Sequence, residues 1–540
     1  MTSRSPAADP LHQPGGPKTY WTTVNAEENL AGVVTPLSSS FWMRPVTVGT
    51  LGAFGTLGVL PEGAVRHSSD SDQRICTVIY GRLVANVDLL RSLADRTPGT
   101  SGDSLEQQLF SSVREGIPSR ASWRRYPIVA IKAPWAAATV APRLRRILAE
   151  SHRWWRESID ALENDTAATA RRRLSEAQDR MTAYMRPHTL GTFVTQAAFN
   201  QLEKLCRRAQ LPGLELRIAA GVGSLEESEM VAMLWDVSRG AADEGTFLRR
   251  YGFHGPGEAS PSSLVWRDDP EQLAATLRSY RAMPEGRSPR ATARRVAEDK
   301  AAAIRELFAA LPRADRILAR AVLRATDYYF PLRETGKAAL LHAIDVCRAS
   351  SRVIAADMVR RDELDDPADI AFITVEELIN DRKADWRHVT AARRQRRTEY
   401  QDFDLPQTWE GIPEPLRRNE SGADVDALTG LGASHGTVEG VVRLVHDPAE
   451  ADIEDGEILV CETSDPSWST LFLVAAGVIV DVGGPLSHGA IVARELGIPA
   501  VINTHRAMRT LRDGDKVRVD GTAGVVTVLG RSGAAERGQN

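Results

Sequence analysis

The sequence predicts a multidomain protein in which a large, mostly α-helical region is followed by a compact α/β domain. Three observations carry this expectation. From about residue 133 to 400, apolar side chains recur every three or four positions among long charged ones, the period of a helix with one buried face. From Gly432 onward, short Val- and Ile-rich runs alternate with turn residues and two helical patterns, which reads as strands of a small sheet. Between them "DLPQTWEGIPEPLRRNESGADVDALTG" is rich in Pro, Gly and acidic residues and marks a linker. The expected divisions are a disordered leader at 1–19, a helical region at 20–410 in one or two subdomains, a hinge at 411–431, the α/β domain at 432–532 and a disordered tail at 533–540.

With 540 residues, 42% of them hydrophobic, the chain can bury its own cores. Its 67 basic and 71 acidic side chains leave a net charge of −4, which gives no overall reason to bind nucleic acid or an anionic membrane. Cys76, Cys206, Cys347 and Cys461 form no CxxC pair, so neither a disulfide framework nor a zinc knuckle is indicated, and a reducing cytoplasm is the expected compartment. The apolar segments are too short and too interrupted to span a bilayer, and the first residues lack the pattern of a signal peptide.

In order along the chain, residues 20–125 mix short apolar runs with Gly, Pro and Ser and predict loops and closely packed helix ends, with a break at Thr35 and Pro36. Helices follow; the adjacent Trp154 and Trp155 cannot share one helix face, so at least one wedges against a neighbouring element. The stretch "GFHGPGE" interrupts the helices with a Gly-rich turn holding His254 and Glu258, and Asp268 or Asp269 with Pro270 starts the next helix. An imidazole and a carboxylate in such a loop can take a proton from a hydroxyl, although packing corners have the same composition. In "YYFPLRETGKAAL", Arg333 and Lys337 are spaced i,i+4, so both cations can face one cavity and balance charge on a transferring phosphoryl group, with Glu334 free to orient Arg333. A surface salt-bridge helix is the plain alternative.

In the last domain, "DVGGPLSHGAIVARELGIPAV" places Ser487 as the N-cap of a helix that Gly497 and Pro499 terminate. His488 then lies in the first turn, where unpaired backbone N–H groups favour a phosphoryl group on its ring. A histidine that merely packs or caps remains open on this reading, and so does metal binding, for which His505 and Cys461 are unpatterned partners. A serine-hydrolase elbow is not matched, since "GGPLSHG" lacks the GxSxG spacing.

The stretch "GGPLSHGAIVARELGIPAV" closely resembles the phosphohistidine signature of the swivelling domain of phosphoenolpyruvate-utilising enzymes, and "GEILVCETSDPSWSTLFLVAAGVIVDVGG" extends the likeness in the form seen in antibiotic phosphotransferases. The resemblance implies that His488 carries a phosphoryl group between two sites, with Thr463, Ser487 and Gly489 beside it. One departure is "GASHGTVEG", where His435 stands at a position often held by Pro. More loosely, "NAEENLAGVVTPLSSSFW", "FLRRYGFHGPGEASPSSLVWRDDP" and "YYFPLRETGK" resemble in order the substrate-binding region of rifampicin phosphotransferase-like proteins. That implies Arg333 and Lys337 beside the transfer site and Glu27 and Glu28 lining the acceptor cavity; His254 and Glu258 are the second catalytic candidates from their own loop, and Glu334 is a further substrate-binding candidate.

No Walker A motif is present, and the resemblance does not extend to an ATP-grasp domain. The expectation is therefore a phosphotransferase component that binds no cofactor firmly. A separate ATP-grasp protein, with ATP and Mg²⁺, charges His488, and the acceptor is a hydroxyl of a small organic molecule. The rival expectations are a dehydratase that phosphorylates and then eliminates, and a non-catalytic binding or regulatory protein.

Overall fold

The computed structural model describes residues 9–24, 26, 30, 32–110, 113–162, 165–221, 225–417, 425–446, 451, 453–454, 456–464, 468–484 and 487–532. The chain forms two compact units. One comprises residues 1–191, 259–263 and 336–419, the other residues 192–258, 264–335 and 420–540.

The first unit is helical, with a small sheet. Strands β1 (Tyr20–Thr22), β2 (Cys76–Ile79) and β3 (Arg82–Asn86) join β5 (Thr408–Glu410) in the order β2-β3-β1-β5, and β4 (Phe403–Asp404) pairs separately with β6 (Leu416–Arg417). The sequence predicted loops and helix ends for residues 20–125, but a single 22-residue helix spans Pro36–Leu57. Thr35 caps it by accepting from Ser38 N at 3.2 Å, so the predicted break is its N-terminus. Gly49, Gly52 and Gly55 recur at every third position, and a Cβ at Gly49 would overlap the Met185 side chain. These glycines therefore serve close helix packing rather than turns, which is why their spacing misled. Further on, Trp154 and Trp155 are both buried, and Trp155 Nε1 donates to Asp345 Oδ2 at 2.7 Å while its ring stacks on His342.

The second unit combines helices with the predicted α/β domain. Helices at Leu225–Ser238, Glu244–Tyr251, Pro270–Ala282, Pro289–Ala310 and Arg316–Tyr329 precede it. Asp269 caps the third of these, accepting from Glu271 N and Gln272 N. The sheet has eight strands: β7 (Ala427–Thr429), β8 (Leu431–Ser434), β9 (Thr437–Leu444), β10 (Glu457–Cys461), β11 (Gly477–Val480), β12 (Ala500–Ile502), β13 (Lys516–Asp520) and β14 (Val525–Gly530). Their order is β7-β14-β13-β9-β10-β11-β12-β8, and the contiguous run β9-β10-β11-β12 is parallel. The sequence predicted six of these strands and passed over the short β7 and β8 beside the linker.

Alternation along the parallel strands explains their apolar composition. Ile458, Val460 and Ile479 join one core with Val442, Val517 and Val526, whereas Leu459, Cys461, Val478 and Val480 join another with Phe472, Ala490 and Val492. Both faces of the strands are therefore covered, so neither set of side chains can be polar. The second core continues into Leu234, Trp235, Phe247, Trp266 and Tyr280 of the unit's preceding helices.

Candidate functional site

The carboxyl ends of parallel strands are where open α/β sheets collect ligands, because loops and helix N-termini converge there. Three such ends lie side by side in β10, β11 and β12. Strand β10 runs out into Thr463 and Ser464, β11 into Asp481 and the glycine loop, and β12 into residues 503–506. His488 opens the helix His488–Leu496. Ser487 caps it, its Oγ accepting from Ala490 N at 3.3 Å, and Gly497 ends it in the left-handed region at φ 63°. That helix end offers N–H groups and the positive end of the helix dipole to an anion.

Two residues that the sequence reading gave no role hold this corner together. A Cβ on Gly489 would overlap the Ser464 hydroxyl, so that hydroxyl lies against the first turn of the histidine helix and would have to rotate away from any larger residue at 489. Thr463, the residue before Ser464, is also buried. The other residue is Asp481, whose carboxylate accepts from Thr504 Oγ1 at 2.7 Å, Ala507 N at 2.5 Å and Met508 N at 2.9 Å. Burial raises its pKa against these hydrogen bonds. It thereby ties the glycine loop to the segment after β12, where Asn503 and His505 adopt positive φ. A lone Asp before two glycines gave only a weak signal of this.

Arg494, on the same helix, donates from Nε to Ala433 O at 2.5 Å and lies over the Phe199 ring. Burial pushes its pKa down to about 10, Glu215 opposes that shift and Arg333 adds to it. The histidine helix is thus seated on β8 by a buried cation.

The second candidate, in the same unit, is the loop from Gly252 to Glu258. His254 Nδ1 and Glu258 Oε2 are 2.6 Å apart and both side chains are buried. His254 N donates to Tyr251 O at 3.0 Å, and His254 O accepts from Trp266 N at 2.9 Å, so the loop is fixed on both sides of the ring. Gly255 has φ 140° and packs with its Cβ position 3.2 Å from Trp266 N, so this glycine is required both by conformation and by space. A proton on Nδ1 directed at Glu258 leaves Nε2 with its lone pair, the form of a general base.

Arg333 and Glu334 lie in this unit on the helix Pro331–Arg360, with Arg333 Nε 3.9 Å from Glu334 Oε1 and Glu334 buried. Lys337 follows one turn on, in the first unit. Glu27, Glu28, Asp465 and Pro466 lie outside the described residues. Among the described residues no group of three or more His, Cys, Asp or Glu side chains is placed to hold a metal ion.

Comparison with known proteins connects these two places. The mobile domain of PEP-utilising enzymes matches residues 453–524, and the rifampicin phosphotransferase fourth domain matches residues 241–334. A rifampicin phosphotransferase of Streptomyces sp is 34% identical over 325 residues, 58% of this chain and 38% of that one. One from Bacillus subtilis is 28% identical over 296 residues, 52% of this chain and 34% of that one. An uncharacterized phosphotransferase of Bacillus subtilis, YvkC, is 46% identical over 106 residues, 19% of this chain and 13% of that one. The chain thus spans less than two fifths of the length of these relatives. A solved structure of Enzyme I aligns over 63% of this chain and 82% of that one at 17% identity, with a TM-score of 0.16. The segment that matches the mobile domain of PEP-utilising enzymes includes His488, and the segment that matches the rifampicin phosphotransferase fourth domain includes His254, Glu258 and Arg333.

Proposed function

We propose that the chain is a phosphotransferase component in which His488 receives a phosphoryl group from a separate ATP-grasp protein and passes it to a hydroxyl of a small organic acceptor. The single observation that carries this reading is the Ser487-capped helix beginning at His488, in the connection that follows β11, within the segment matching the mobile domain. ATP and Mg²⁺ act on the partner, where the phosphoryl group is first transferred. Rifampicin phosphotransferase is the name of the relatives; for this chain the acceptor is defined only by the hydroxyl that attacks.

In the transfer step the acceptor oxygen forms a bond to phosphorus as the N–P bond breaks, and the bonding pair returns to the His488 ring. His254 Nε2 takes the hydroxyl proton while Glu258 balances the resulting imidazolium through Nδ1. Arg333 and Lys337 offset the charge on the equatorial oxygens, and Glu334 steadies the Arg333 guanidinium. Alignment of oxygen, phosphorus and nitrogen supplies the rest of the acceleration. The phosphoryl group travels on His488 from the charging site to the acceptor.

The test is to charge the protein with ATP, Mg²⁺ and candidate ATP-grasp proteins and then add a panel of hydroxyl compounds. Loss of label matched by a phosphate ester supports the reading. A dehydrated product without an ester would assign a dehydratase instead, and a label that no hydroxyl compound removes would favour a regulatory role.

A further inference from the structure

A second basic cavity, entirely within the first unit, is not used by this scheme. It has a volume of about 200 Å³ and is lined by Arg44, His67, Arg74 and Glu376 together with Ser39 and Thr374. The Arg74 side chain is 8% exposed, and its guanidinium donates to Ser68 O at 2.7 Å, Ser69 O at 2.9 Å and Gln13 Oε1 at 2.7 Å. All three acceptors are neutral, and the one carboxylate that acts on this cation, Asp70, does so through its charge rather than as one of these acceptors. Two of its five N–H groups are left over. Such a charge is costly inside a protein unless an anion accompanies it.

The neighbouring groups add to the positive field. Arg44 pairs with Asp179 at 3.3 Å on an exposed flank where both side chains are about half open to solvent. Burial, then Arg74 and Arg44, hold the His67 imidazole below its usual pKa. Burial and the adjacent Glu377 raise the pKa of Glu376, and Arg44 works against that shift.

We propose that this cavity binds a small phosphate oxyanion, either inorganic phosphate or the phosphate of a monoester, held by Arg74, Arg44 and His67. The guanidinium forks suit the geometry of a tetrahedral oxyanion, and the cavity's size admits the phosphate with a short organic group. The site is separate from His488 and stands whether or not that histidine carries a phosphoryl group.

Calorimetric titration of the full chain with inorganic phosphate, and in a second arm with glycerol 3-phosphate, tests this at constant ionic strength. Saturable binding of either ligand is expected, retained in His488→Ala. The stronger arm identifies the source. Arg44→Ala and His67→Gln alter groups at the cavity edge, and each is expected to weaken binding about tenfold, the effect of losing one charge-assisted hydrogen bond; a loss in either variant supports the site. Arg74→Gln removes the central cation, with circular dichroism to confirm that it folds. The absence of saturable binding in both arms would overturn the proposal, as would affinity unchanged in both Arg44→Ala and His67→Gln, or binding lost in His488→Ala.

Discussion

The two histidines that matter most sit in opposite settings. His488 begins a Ser487-capped helix in the connection that follows β11, where the first backbone N–H groups of a helix are available to an anion. His254 lies in a glycine loop with its ring held by a buried carboxylate at 2.6 Å and its backbone fixed on both sides. Under the proposed function the first is the phosphoryl carrier. The surroundings of the second suit an imidazole that accepts and releases a proton. The contrast teaches that a histidine's role is set by what its neighbours stabilise, negative charge at one place and an imidazolium at the other.

The sharpest way to break the comparison is to remove the base without touching the carrier. His254→Ala is expected to slow transfer from charged protein by roughly 10²–10⁴-fold while leaving the rate and extent of charging unchanged, as read by single-turnover kinetics. Equal loss in both steps would place His254 in the fold rather than in the chemistry. Glu258→Gln should slow transfer less, since the amide oxygen still accepts the Nδ1 proton but carries no charge.

Arg333→Ala comes next. Transfer is expected to fall by about 10²-fold, the scale of one lost charge-stabilising donor, with charging retained. Unchanged transfer kinetics would remove Arg333 from the site.

At the carrier end, Gly489→Ala forces a Cβ onto the Ser464 hydroxyl. Charging should drop and the domain should lose about 1–3 kcal/mol in denaturant unfolding, as for other overpacked sites. Ser464→Ala in the same chain removes the clashing oxygen and should restore much of the stability. Absence of rescue would show that the glycine is needed for another reason.

The smallest effect is expected from Ser487→Ala, about 1 kcal/mol for a lost N-cap, seen as a lower denaturation midpoint with charging still detectable.

Legibility in the sequence followed how local the determinants were. The histidine helix was readable because its cap, apolar face and glycine stop lie within eleven residues, Ser487 to Gly497. The parallel strands were readable because both faces are buried and the runs are almost wholly apolar. The helix Pro36–Leu57 was not, since its glycines look like turn signals until Met185 and Arg186 are seen packed against them. Ser464 and Asp481 escaped for a related reason. Their partners, Gly489 in one case and Thr504, Ala507 and Met508 in the other, lie more than twenty residues along the chain. The pairing of His254 with Glu258 was suggested by their spacing, but burial of the pair depends on Trp266 and on the conformation at Gly255.

The most direct test of the central claim is intact-mass and peptide-mapping analysis of the chain after incubation with ATP, Mg²⁺ and an ATP-grasp protein. The account predicts one added phosphoryl group per chain, labile to acid as a phosphoramidate is, located on His488 and absent from His488→Ala. An adduct that survives acid, or one that forms equally on His488→Ala, would contradict it.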